Sequence, residues 1–136
     1  MSTNTEVKTI LVVDDDDDTR LVVRWRLEDR GYKVIEAAGG REAVEAALGV
    51  RPDLILMDLV MPIVDGVEAV RQVKEHPQLR DVPVVVVTAR DVAGSRAGAE
   101  FGDFDDYLSK PFDFLRLNAI IEKLFSRCHP RHFADP

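Results

Sequence analysis

The chain has 136 residues, 46% of them hydrophobic and 32% charged, which suits one domain with a buried core and leaves too little length for a second. Twenty-five acidic against 18 basic side chains give a net charge of −7, which argues against binding nucleic acid through its phosphates. No apolar run approaches the ~20 residues of a membrane span, and MSTNTEVK is followed by no run long enough for a signal peptide, so a cytoplasmic protein without membrane insertion is expected.

The first predicted element is a strand over Thr9 to Val13 (TILVV), whose unbroken apolar, β-branched run implies cover on both faces. Five aspartates follow, Asp14 to Asp18, then a helix over Thr19 to Arg30. Leu21 and Trp25 lie four apart on it, as do Val23 and Leu27, and Asp17 or Asp18 is placed to cap its first turn. Gly31 ends it, and Tyr32 to Ala37 forms a short strand. An Ala-rich helix over Arg41 to Leu48 presents Ala43, Val44, Ala47 and Leu48. Leu54 to Met57 is again an apolar strand, with Asp58 at its end. A helix from Gly66 to Glu75 buries Val67, Val70 and Val73 and stops at His76-Pro77. Val82 to Val87 is the most β-branched run, with Thr88 at its end. A helix over Asp91 to Phe101 carries Gly94 and Gly98, each costing ~1 kcal/mol relative to alanine. A brief strand over Asp106 to Ser109 is closed by Lys110-Pro111, and a last helix runs from about Asp113 to Arg127 with Leu117, Ile120, Ile121 and Leu124 as its stripe.

Strand and helix thus alternate five times, which predicts an α/β domain: a parallel sheet with helices on both faces and a ligand site beyond the carboxyl ends of the strands. Asp14 and Asp15 follow the first strand, Asp58 ends the third, Thr88 the fourth and Lys110 the fifth, so all fall on one edge of that sheet. Core packing does not require carboxylates from separate strands to meet, and like charges held together cost free energy unless a cation joins them. Three carboxylates with few softer donors suit a hard ion such as Mg2+. A lysine and a threonine hydroxyl beside them suit the oxygens of a phosphoryl group in transfer.

Four motifs carry a resemblance: ILVVDDD at Ile10 to Asp16, DLILMDLVMPIVDG at Asp53 to Gly66, VVVVTA at Val84 to Ala89 and DDYLSKPF at Asp105 to Phe112. In this order and spacing the chain resembles the receiver domain of bacterial two-component response regulators over residues 8 to 127. The resemblance implies a doubly wound, flavodoxin-like (βα)5 fold with strand order 2-1-3-4-5. It implies that Asp58 accepts a phosphoryl group, that Asp14 and Asp15 bind Mg2+ (Mn2+ being the alternative ion), with Asp14 acting through water, and that the Val60 carbonyl completes the metal set. Lys110 resembles the lysine that pairs with the carboxylate and then with the phosphoryl oxygens. Thr88 resembles the hydroxyl switch residue, Ala89 its small neighbour, and Tyr107 the aromatic switch, exposed before phosphorylation and buried after it. The implied partners are a histidine kinase or histidine phosphotransfer protein and a downstream protein docked on the face of the fourth helix, fifth strand and fifth helix. The oligomeric state implied is a monomer or a phosphorylation-dependent dimer. No enzyme activity is expected beyond self-catalysed phosphoryl transfer and autodephosphorylation.

Alternatives stand beside these readings. Thr88 also suits a plain strand residue, Lys110 a surface lysine and Tyr107 half-buried packing, while Arg90 either governs water access or points outward, and Trp25 reads as helix packing, either buried or partly exposed. Asp103 and Phe104 stand where many receivers carry Gly-Ala, so Phe104 fills a gap or reshapes the loop before the fifth strand. Asp15-x-Asp17-x-Thr19 also fits the short signature of a Mg-dependent aspartate-nucleophile phosphohydrolase, but that leaves Asp58, Met61-Pro62 and Asp65-Gly66 without a role. A scaffold receiver that is never phosphorylated is the other alternative. The organisation expected is a flexible N-terminus (1–8), the receiver domain (9–127) and a tail (128–136). The lone Cys128 with His129 and His132 reads as tail rather than a zinc site. Nine residues after Arg127 are too few for a DNA-binding module, so a stand-alone receiver without direct DNA binding is expected.

Overall fold

The computed structural model describes residues 7–58, 63–88, 104–109 and 113–133, with side chains at all of these except 58, 63–67, 88 and 127–133. Five strands, β1 (Thr9–Val13), β2 (Lys33–Ala37), β3 (Leu54–Asp58), β4 (Val84–Thr88) and β5 (Asp106–Ser109), form one sheet in the order β2-β1-β3-β4-β5. Every neighbouring pair is parallel, with Leu11 opposite Ile35 on one side and Ile55 on the other. The sheet is therefore wound in both directions from β1, and all carboxyl ends lie along one edge.

Alternation along the strands divides the core in two. Leu11, Val13, Ile55, Met57, Val84 and Val86 face the layer made by α2 (Gly40–Val50) and α3 (Ile63–Glu75). Ile10, Val12, Leu54, Leu56, Val85, Val87 and Leu108 face α1 (Asp17–Asp29) and the C-terminal helix (Phe114–Phe133). Each central strand is buried on both faces, which is why its sequence shows no polar alternation. Asp53 sets the register at the amino edge: its N–H donates to the Thr9 carbonyl (2.7 Å), and its carboxylate accepts the Thr9 N–H (2.8 Å).

Several expectations shift. The N-cap of α1 is Asp16, not Asp17 or Asp18, which lie inside the first turn as its acidic residues; acidic side chains favour that turn through the helix dipole as well as through capping. Val23 and Leu27 are buried on α1, but Leu21 is exposed and Trp25 is 60% exposed. Two residues of helix turn by ~200°, so Trp25 lies on the side opposite Val23, largely exposed and outside the buried stripe. Leu48 on α2 is likewise exposed, while Ala43, Val44 and Ala47 are buried. β4 starts at Val84 because Pro83 has no N–H for the ladder; its carbonyl accepts from Ile55 N–H at 2.9 Å. The last helix continues past Arg127 to Phe133, through Pro130, into the segment expected as tail; a proline removes one hydrogen bond without necessarily ending a helix. Leu117, Ile120, Ile121 and Leu124 are its buried stripe, as the spacing predicts. The helix expected over Asp91 to Phe101 lies outside the described residues. Among the described residues no helix is long and apolar enough to cross a membrane.

Candidate phospho-acceptor site

The site is built at the carboxyl edge around the end of β1. The Asp14 N–H donates to the Ala37 carbonyl (3.1 Å), which carries the β1–β2 ladder one residue beyond the strand. Asp14 is 1% exposed, the only buried acidic residue among those described. One of its carboxylate oxygens accepts the Asp16 N–H at 2.9 Å, and among the described residues no basic side chain forms an ion pair with it. Asp15 is exposed and follows directly. A cavity of about 20 Å³ lies under Asp14, between Val12, Val13, Thr19, Val23, Leu56 and Val87. A desolvated carboxylate beside an exposed one at the end of a central strand fits a divalent cation that takes hard oxygen donors.

The other predicted residues are placed by the backbone. Val13 pairs with Met57, so Asp14 comes level with Asp58 on the adjacent strand, at the ~4.8 Å spacing of neighbouring strands. Asp58 in turn pairs with Val87, and Thr88 with Ser109, which puts Asp58, Thr88 and the last residue of β5 on the same edge. Val60, Lys110, Ala89 and Arg90 lie outside the described residues, as do the side chains of Asp58 and Thr88. Among the described residues no three His, Cys, Asp or Glu side chains group around one point, a set that would need the Asp58 carboxylate.

Tyr107 is half-buried, packed with Phe104 against the core layer of α2 and α3. The two rings meet edge to face, with centroids 6.2 Å apart and planes at 86°. Phe104 is thus a ring partner of the predicted switch residue; the loop before it, the subject of the other reading, lies outside the described residues.

Arg20 and Glu36 were not singled out by the sequence. Arg20, on the first turns of α1, donates through Nε to Glu36 Oε1 (2.7 Å), through Nη1 to the Asp14 carbonyl (2.5 Å) and through Nη2 to Asp17 Oδ1 (2.6 Å). Arg24 adds a bond to the other Glu36 oxygen at 2.5 Å. Hydrogen bonds from Arg20 first, and then from Arg24, hold the Glu36 carboxyl below the usual carboxylate range, and the bond to Glu36 is the main cause that raises Arg20 above its own. The available signal was Glu36 itself, a charge in a strand opposite Val12 on β1.

Fold and edge together define a doubly wound α/β protein with aspartates at the carboxyl edge of a parallel sheet, beside the point where the strand order reverses. Comparison with known proteins narrows this class. The family model "Response regulator receiver domain" matches residues 10–122, and the chain belongs to that family. It is 40% identical over 121 residues to the response regulator MprA of Mycolicibacterium vanbaalenii, a match covering 89% of this chain and 52% of MprA; the chain spans about half the length of the curated relatives it matches. The chemotaxis protein CheY4 of Vibrio cholerae superposes with a TM-score of 0.78 at 31% identity, covering 88% of this chain and 99% of that one. The receiver domain of a sensor histidine kinase from Pseudomonas aeruginosa, with a magnesium ion coordinated in its active-site cleft, gives 0.78 at 32% identity over 89% and 99% of the two chains.

Proposed function

We propose that the chain is a phospho-accepting signalling module in which Asp58 takes a phosphoryl group from a phosphohistidine of a histidine kinase or phosphotransfer protein. The observation that carries this is the buried carboxylate of Asp14 one strand away from Asp58, at the carboxyl edge of a parallel sheet. In the transfer, a carboxylate oxygen of Asp58 attacks phosphorus in line, the P–N bond to the donor imidazole breaks, and the imidazole leaves with the bonding pair and takes up a proton. Hydrolysis reverses the state: water attacks phosphorus, the P–O bond breaks, and Asp58 returns as carboxylate with inorganic phosphate released.

Asp14, Asp15, Asp58 and the Val60 carbonyl would hold Mg2+, whose chemistry is to neutralise charge on the phosphoryl oxygens. Lys110 supplies a second positive charge to those oxygens, and the Thr88 hydroxyl donates to one of them after transfer. The added charge at the edge then biases a two-state surface that includes β5 and Tyr107. The module acts on no separate substrate; its output is a change in which protein docks on that surface.

Incubation with Mg2+ and acetyl phosphate tests the reading. The native protein is expected to gain one phosphoryl group by intact mass, labile to hydroxylamine, and Asp58→Asn to gain none. A label on Asp15 instead would support the phosphohydrolase alternative, and no label from any small donor would support the scaffold.

A further inference from the structure

We infer that Arg20 is a positioning residue for the metal site: it clamps the acidic turn from Asp14 to Asp17 in the shape that receives the cation. This rests on the receiver reading above. All three guanidinium nitrogens are committed, and each goes to a different element. Nε is held by Glu36 on β2, Nη1 holds the backbone carbonyl of Asp14, and Nη2 holds the carboxylate of Asp17. The side chain is 14% exposed, and Arg24 fixes Glu36 from the other side.

The consequence for Asp14 is specific. Its N–H is bound by Ala37, its carbonyl by Arg20 and one carboxylate oxygen by the Asp16 N–H. Backbone and side chain are therefore oriented before any cation arrives. The same guanidinium spans both ends of the turn, so Asp15 between them is carried on a loop fixed at Asp14 and Asp17. A planar fork can do this with three acceptors at once, whereas a lysine ammonium at the end of a flexible stem cannot reproduce the plane.

Two effects of Arg20 on a divalent cation oppose each other. Its positive charge repels the ion, so a pure charge effect predicts tighter binding when Arg20 is removed. Its hydrogen bonds orient the donors, so a positioning effect predicts weaker binding. Groups that orient metal ligands through hydrogen bonds are commonly worth about 10- to 100-fold in affinity. The repulsion acts from a guanidinium already paired with Glu36 and Asp17, which leaves little net charge to act on the ion. Positioning should therefore prevail.

The test is a calorimetric titration of Mg2+ into the native protein, Arg20→Ala and Arg20→Lys, each well below its melting temperature and checked by circular dichroism. Arg20→Ala is expected to weaken Mg2+ binding by about ten-fold or more and Arg20→Lys by at least about five-fold. The labelling rate with acetyl phosphate should fall at limiting Mg2+ and return to within about two-fold of native at saturating Mg2+. Unchanged affinity in a folded Arg20→Lys, or tighter binding in Arg20→Ala, would overturn the positioning role while leaving the receiver reading intact. Absence of Mg2+ binding by the native protein would overturn both.

Discussion

Replacing Asp14 with asparagine separates the two demands placed on that residue, folding and cation binding. The carboxylate is 1% exposed and is given one N–H by Asp16 at 2.9 Å. Removing an ion from water costs several kcal/mol even after relaxation, and one hydrogen bond to a charged group returns ~1.5–3 kcal/mol. The remainder, ~1–2 kcal/mol, destabilises the metal-free protein. Asn keeps the Oδ1 acceptor and the shape but not the charge, so Asp14→Asn should raise the metal-free melting temperature by about 3–8 °C for a domain of this size. With Mg2+ at a hundred times its Kd, the native protein gains about 2.7 kcal/mol by mass action, and the variant gains little. The order of stabilities then reverses. Differential scanning calorimetry in EDTA and along a Mg2+ series reads both halves. A variant less stable than native without metal, or one stabilised by Mg2+ as much as native, would refute the reasoning.

Three further outcomes test the scaffold. Gly31 follows α1 at φ +97° with open space where a Cβ would stand, so Gly31→Ala should cost about 1–2 kcal/mol from backbone strain alone, read as a lower urea midpoint at unchanged m. Leu117→Ala empties a fully buried position of the C-terminal helix and should cost ~3–5 kcal/mol by the same measurement. Glu36, held below its ordinary range by Arg20 and then Arg24, binds a proton less readily folded than unfolded. Its contribution is therefore complete above the unfolded value near pH 4.5 and is lost as pH falls through the lower folded value. Glu36→Gln should melt below native at pH 7, and the gap should close on acidification toward pH 3; a gap independent of pH would exclude the ion pairs as its cause.

The strands were legible because each carries its whole signal locally. β1 falls on Thr9–Val13 as its apolar run indicates, β5 on Asp106–Ser109 just before Lys110-Pro111, and strand order follows from the family resemblance. Asp14 was legible for a related reason: a run of carboxylates at a strand end has no packing explanation. The helix faces were less so. Leu21–Trp25 and Val23–Leu27 have the same spacing, and only the position of the sheet makes the second pair the buried one. Arg20 and Glu36 were invisible because each resembles a solvated surface charge in its own element. Their pairing joins residues 16 apart across a helix–strand contact, which periodicity cannot reveal. Phe104 was noticed as bulky, but its contact with Tyr107 needed the ring geometry.

The interior place of β1 in the sheet also bears on assembly of the chain during synthesis. The strand emerges first, yet one of its two neighbours is β3, and the Thr9–Asp53 clamp closes a loop of 44 residues. Until β3 leaves the ribosome, one whole flank of this apolar strand carries unpaired amides and carbonyls. The nascent chain therefore stays open to misassociation along β1 until Asp53 and β3 arrive, and a translational pause before that point should be costlier than one after it.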